Sequence, residues 1–160
     1  MQARTLRCAM VLGIVVGLFG TRSAAQGTDP IIGTWVLNVA KSKFSPGPAP
    51  KSESRTYVMA GKEIKATSTG VGSDGKPTSG EWMIVNDGRD TPLTGNPDAD
   101  VLSLKQTDAF STEFTLKKAG KVVITGTRSI SRDGKVMTIT NNGTNAKGQT
   151  INDVLVFEKR

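Results

Sequence analysis

Glycine-bearing turns recur roughly every 9 to 14 residues from Gly33 to the end of the chain, and this rhythm limits the fold more than any other feature. They are Ala60-Gly61-Lys62, Asp74-Gly75-Lys76, Asp87-Gly88-Arg89, Gly95-Asn96-Pro97-Asp98, Ala119-Gly120-Lys121, Asp133-Gly134-Lys135 and Ala146-Lys147-Gly148. Glycine enters positive φ without a Cβ penalty, and Asp-Gly suits the tight turns whose twist matches paired strands. The spacing leaves no room for a helical crossover. Neighbouring segments are therefore expected to pair antiparallel in chain order.

Between the turns the hydrophobic period is two. Phe110, Thr112, Phe114 and Leu116 alternate with Ser111, Glu113, Thr115 and Lys117, which gives one buried and one wet face. Trp35, Leu37 and Val39 share a face, as do Trp82 and Ile84, and Val122, Ile124 and Ile130. Eight to ten strands result, the count depending on Thr91 to Thr94 and on the stretch near Val101. So many strands in one sheet would leave edges that template aggregation, and closure removes them. The expected fold is all-β, an antiparallel up-and-down barrel of 8–10 strands. A two-sheet sandwich is the rival, but its sheet-to-sheet crossings are longer than the hairpin connections here. The longest separator, Ser42 to Ser52, carries Pro46, Pro48 and Pro50 and is expected to be a stiff extended loop.

The 160-residue chain opens with Arg4 and Arg7, an apolar run from Ala9 to Gly20, and Ser23-Ala24-Ala25. This is the pattern of an export signal cleaved near Ala25, and the apolar run is shorter than the ~20 residues a membrane-spanning helix needs. Residues 26–160 then form a single domain, secreted or periplasmic. Removing Arg4, Arg7 and Arg22 lowers the formal charge from +7 to +4. There is no histidine, and the single cysteine, Cys8, leaves with the signal. Disulfides, thiolate chemistry and imidazole-based acid–base or metal sites are thereby excluded from the mature domain. An outer-membrane barrel would need aromatic girdles around an apolar band. The mature chain has only Trp35, Phe44, Tyr57, Trp82, Phe110, Phe114 and Phe157 as aromatics, so a soluble barrel is expected, with no transmembrane insertion.

The segment Asp29-Pro30-Ile31-Ile32-Gly33-Thr34-Trp35-Val36-Leu37 resembles the opening of the calycin superfamily, the lipocalins and fatty-acid-binding proteins, in which Gly-x-Trp lies on the first barrel strand. The ending Val154-Leu155-Val156-Phe157-Glu158-Lys159 is similar to that of fatty-acid-binding proteins. The whole also resembles small secreted bacterial lipocalin-like proteins of unassigned function. The resemblance implies a calycin-like barrel with an internal ligand site, and Lys159 or Arg160 lying across the Gly-x-Trp indole. Two departures matter. The Ser42–Ser52 loop is too short and proline-rich for the two-helix lid of fatty-acid-binding proteins, so no helical lid is expected. Their last-strand Arg-x-Tyr pair, which binds the fatty-acid carboxylate, falls here on Leu155 and Phe157.

Six residues stand out as candidate ligand contacts: Arg55, Tyr57, Trp82, Phe114, Leu116 and Arg128. Arg128 shares a face with Val122, Ile124, Gly126 and Ile130, and a buried guanidinium needs a carboxylate or an anionic ligand. Two other readings stand beside that one: a bulge near Gly126 that turns Arg128 outward, or an internal partner such as Asp153. Arg55 shares a face with Tyr57 and Met59. Tyr57 and Trp82 either face a ligand or fill the core.

In a ten-strand barrel, Lys41, Lys43, Lys51, Lys76, Lys117, Lys118, Lys121 and Lys147 fall at the mouth, with Asp98 and Asp100 opposing them. Such a ring would attract anions, or serve only solubility. Asn86-Asp87-Gly88-Arg89-Asp90 and Asn96-Pro97-Asp98-Ala99-Asp100 lack calcium-loop spacing and are explained by turn chemistry. No metal, cofactor, catalytic motif or nucleic-acid signature is found. The expectation is a binding protein, not an enzyme, holding a small apolar or amphipathic, partly anionic molecule in the barrel. The alternative is a protein-interaction module, such as an inhibitor of an extracellular hydrolase, with a filled barrel and contacts through the Pro-rich loop.

Overall fold

Ten strands form where the alternating segments lie, and each pairs antiparallel with the next in chain order. In the computed structural model, which describes residues 29–160, they are β1 (Gly33–Leu37), β2 (Ser52–Ala60), β3 (Glu63–Val71), β4 (Pro77–Ile84), β5 (Asp87–Thr94), β6 (Val101–Asp108), β7 (Ser111–Lys118), β8 (Lys121–Ile130), β9 (Val136–Thr144) and β10 (Thr150–Lys159). The leader expected at 1–25 lies outside the described residues. β1 pairs with both β2 and β10, which closes the sheet into an antiparallel up-and-down barrel. Among the described residues the helical content is a single 3-10 turn, Val39–Lys41, and no helix is long and apolar enough to cross a membrane.

The stretches on which the strand count depends are β5 and β6, so the count is ten. Val39 begins the 3-10 turn beyond the end of β1 and packs half-buried against the core that holds Trp35 and Leu37. Beyond that turn the chain returns to β10, with Lys43 bridging Val154 and the Ser45 carbonyl accepting from the Asn152 N–H at 3.0 Å. Gly88, in a turn-type dipeptide, lies instead within β5, at φ +87°, where a bulge shifts the β5–β6 register between Asp87 and Asp90. The β4–β5 connection is Val85-Asn86. Val122 does not share the inner face with Ile124 and Ile130. A register shift opposite Leu116 and Lys117 turns it outward, and it is 58% exposed. The wall is weakest between β4 and β5, which share only the pairs Glu81↔Thr94 and Trp82↔Leu93.

The floor is built on Trp35, which is fully buried and donates its indole N–H to the Ile31 carbonyl at 2.7 Å. Lys159 supplies the cation across the indole, with Nζ 5.0 Å from the ring centroid and donating to the Pro30 carbonyl at 2.9 Å. Gly33 makes this packing possible: its φ is +128°, and a Cβ there would approach Lys159 Cε to 2.8 Å. Gly33→Ala is expected to cost about 1–3 kcal/mol, since backbone strain and displacement of Lys159 act together. Urea unfolding measures this, and an unchanged midpoint would remove Gly33 from the account.

Three exposed carboxylates are held by donors that prefer the ionised form. Asp108 accepts from the Phe110 N–H at 2.7 Å, Asp133 from the Ser131 hydroxyl at 2.6 Å, and Glu158 from Lys41 Nζ at 2.8 Å. These bonds lower each pKa from its ordinary 3.8, 3.8 and 4.5. A depressed carboxylate pKa contributes stability that is present above the unfolded value and lost as pH falls through the folded one. Thermal midpoints between pH 6 and pH 2.5 are therefore expected to hold to about pH 5 and then fall. A flat profile across the acid limb contradicts the assignment.

Candidate functional site

The inward faces of β2 to β9 enclose a cavity of about 550 Å³. It opens at the end where β1 gives way to the Pro-rich loop, between Pro48 and Pro50, the β3–β4 turn at Gly72 and Ser73, and the β5–β6 turn at Gly95 to Asp98. All six candidate ligand contacts line it: Arg55 and Tyr57 from β2, Trp82 from β4, Phe114 and Leu116 from β7, and Arg128 from β8. Alternation brings them together, because inward positions two apart on each antiparallel strand meet across a closed interior.

Arg128 points inward and is 8% exposed, so neither a bulge nor Asp153 takes it up. The Asp153 carboxylate accepts instead from the Ser45 N–H at 2.8 Å. Arg128 donates to the Thr112 hydroxyl at 3.0 Å and, among the described residues, forms no ion pair. Burial pushes its pKa down. Tyr57 and Asp29 offset part of this, and the like charge of Arg55 adds to the depression.

Arg55 differs because Glu53 lies beside it, with Nε donating to Oε1 at 2.6 Å. Burial opposes its charge, but Glu53 and its hydrogen bond outweigh that and raise the pKa above the ordinary value. The guanidinium also lies 4.7 Å from the Phe157 ring centroid and 5.7 Å from that of Trp82. Tyr57 is 1% exposed, packs edge-on to Trp82 at 6.2 Å, and its hydroxyl lies in the field of both guanidiniums. That hydroxyl makes no hydrogen bond of standard geometry. Two cations and a phenol without a hydrogen bond of standard geometry thus converge on one space, where Glu53 pairs with Arg55 and Asp29 acts on Arg128 without forming an ion pair. The Arg-x-Tyr spacing missing from β10 is present on β2, as Arg55-Thr56-Tyr57.

Phe114 reaches the cavity because Gly126 lies opposite it; a Cβ there would strike the Phe114 ring and the Thr140 carbonyl. The lysine ring expected at the mouth does not form part of the lining, which contains no lysine. Lys41 lies down the wall and pairs with Glu158 at 2.8 Å, Lys76 pairs with Asp74 at 3.5 Å, and Lys117 with Asp90 at 2.8 Å. Asp98 and Asp100 instead tie the β5–β6 turn to its neighbours, accepting from the Ala146 N–H at 2.7 Å and the Ala119 N–H at 3.1 Å. The charged lining residues are Glu53, Asp98, Arg55 and Arg128.

Sequence reasoning misses Glu53, Ser68, Asn141, Leu102, Leu104 and Ile139, which also line the cavity. Asn141 carries a usable signal, as a polar residue in the inward series Met137, Ile139, Asn141. Among the described residues no group of three His, Cys, Asp or Glu side chains is placed to hold a metal ion.

No protein-family model matches this sequence, and no curated protein sequence does. Solved structures share the architecture. The M. tuberculosis protein Rv2717c is 16% identical, with a TM-score of 0.50 over 82% of this chain and 93% of that one. The zebrafish ileal bile acid-binding protein complexed with cholic acid is 12% identical, with a TM-score of 0.48 over 82% of this chain and 99% of that one. At such identities the likeness concerns the fold alone.

Proposed function

We propose that this chain is an exported binding protein that holds a small, partly apolar ligand with an anionic or acceptor head inside the barrel. The observation that carries the reading is the open 550 Å³ cavity into which Arg128 points with no ion-pair partner among the described residues, beside a Tyr57 hydroxyl that makes no hydrogen bond of standard geometry there. Pockets of several hundred Å³, mostly apolar with a few convergent polar groups, are typical small-molecule sites. Each 100 Å² of apolar ligand surface buried gains about 2.5 kcal/mol, set against the freedom lost on association. The head group supplies what Arg128 and Tyr57 lack, so orientation follows from charge and affinity from the leucine and aromatic walls. Export follows from reading residues 1–25 as a cleaved signal. The inhibitor alternative supposes a filled barrel, and the cavity weighs against it.

Native mass spectrometry of the protein purified from its own host, followed by solvent extraction, tests the reading. A bound small molecule released on extraction is expected. Protein that carries nothing and gains nothing when incubated with its host's extract would rule a carrier out.

A further inference from the structure

We infer that Glu53 limits the ligand's head group to a single negative charge, so that the site takes a carboxylate, sulfate ester or sulfonate and turns away a phosphate monoester; this rests on the binding reading above. Glu53, Arg55 and Tyr57 occupy successive inward positions of β2, spaced at about 7 Å, and all three line the cavity. Glu53 meets Arg55 at 2.6 Å and, among the described residues, forms no other ion pair. A carboxylate inside an anion site lowers its affinity for every anion, and most for the one with the most charge.

The cations of the lining are Arg55 and Arg128, and no lysine joins them. Arg55 is already engaged. Besides its bond to Glu53 it stacks on Phe157 at 4.7 Å and lies 5.7 Å from the Trp82 ring, which fixes it in the wall. Arg128 donates to the Thr112 hydroxyl at 3.0 Å and has no ion pair among the described residues, while Asp29 acts on it from outside the lining. The charged lining residue at the mouth, Asp98, is itself an anion, bonded to the Ala146 N–H at 2.7 Å. Arg128 is thus the one lining cation left for a ligand, and one negative charge matches it.

A second negative charge on the same head has no such match. Arg55 would serve it only by giving up Glu53, whose carboxylate would then stand unpaired beside the ligand. Leu93, Leu102, Leu104, Phe114 and Leu116 carry apolar surface along the cavity, so a bound molecule leaves little water to screen like charges, and their repulsion acts at a low effective dielectric. Without the Glu53 charge the exclusion ends. Arg55 and Arg128, which act on each other and on the Tyr57 hydroxyl, then form a two-cation site suited to a dianion.

Calorimetric titration of the purified, ligand-stripped protein with decyl sulfate and decyl phosphate at about pH 8.5 tests the inference, since the two share a chain and a tetrahedral head while the phosphate monoester carries the second charge. Decyl sulfate is expected to bind at least about tenfold more tightly, and Glu53→Gln to cut that ratio by about the same factor. The same cut is expected when Glu53→Gln is added to Arg55→Met, a pair that leaves neither charge unpartnered and so keeps the test available should the single variant unfold. A ratio near one in the parent protein, or tighter binding of the phosphate, overturns the charge limit and leaves the carrier reading intact. A ratio that Glu53→Gln leaves unchanged overturns the role of Glu53. Failure of both amphiphiles to bind at millimolar concentration overturns the singly charged head outright. Joined to an absence of any ligand in host-purified protein, that failure removes the carrier reading as well.

Discussion

Replacing Arg128 by methionine is expected to leave the empty barrel as stable as the parent, or more so, while ligand retention falls by at least about tenfold, equivalent to 1.4 kcal/mol. The two effects have one cause. A guanidinium held at 8% exposure with a single hydroxyl partner has given up most of its hydration and received little in return. The lowered pKa of Arg128 expresses the same fact: the folded state disfavours the charged form, so the charge opposes folding at every pH at which arginine is protonated. An apolar side chain of similar length removes that opposition, and replacing buried ionic groups with apolar ones has been worth up to about 4 kcal/mol in favourable cases. With a bound oxyanion the balance reverses, because truncating one partner of a buried charge pair costs about 2–5 kcal/mol. Urea unfolding of the stripped protein and mass spectrometry of the host-purified protein read the two effects separately. Retention unchanged in Arg128→Met would take Arg128 out of the site. A large loss of stability in the stripped variant would make it a structural residue.

The second large effect concerns the floor. Trp35→Ala is expected to cost about 3–5 kcal/mol, from lost apolar contact and the cavity left behind. The indole is fully buried, bonds Ile31 and carries Lys159 across its face, so its removal also frees the Pro30–Ile31 segment that closes the barrel end. Against the roughly 5–15 kcal/mol typical of a domain, such a loss leaves a large unfolded population in mild urea. Trp35→Phe separates the contributions. It keeps most of the ring and loses the 2.7 Å bond to the Ile31 carbonyl, at a cost of about 1–3 kcal/mol. A Trp35→Ala loss below about 1 kcal/mol, the low end for a lost hydrogen bond alone, would show that the floor is held elsewhere.

The floor is legible in the sequence through a resemblance, Gly33-Thr34-Trp35 being similar to the Gly-x-Trp of calycin first strands. The inward series are legible from alternation. Alternation is a local property of extended backbone, and Tyr57, Trp82, Phe114 and Arg128 need only their parity to be assigned to one face. Parity fails at Val122, where one extra residue in β8 rotates the strand, and at Gly88, where a turn-type dipeptide becomes a bulge. Both depend on which residues the neighbouring strand presents. The lysines mislead because charge position along the chain says nothing of partners: Lys41 meets Glu158 across 117 positions, and Lys117 meets Asp90 across 27.

From the sequence alone come the all-β class, the antiparallel order, the faces and the absence of imidazole chemistry, because turn conformation, side-chain alternation and composition are local quantities. Whether the barrel is hollow, and whether Arg128 finds a partner, only the tertiary structure decides. Interior volume depends on how ten strands tilt and shear as the sheet closes, and a buried charge is paired or unpaired according to what the far wall offers. Here the adjacent strand offers Arg128 the Thr112 hydroxyl and β2 offers Tyr57, while Asp29 acts on it without forming an ion pair.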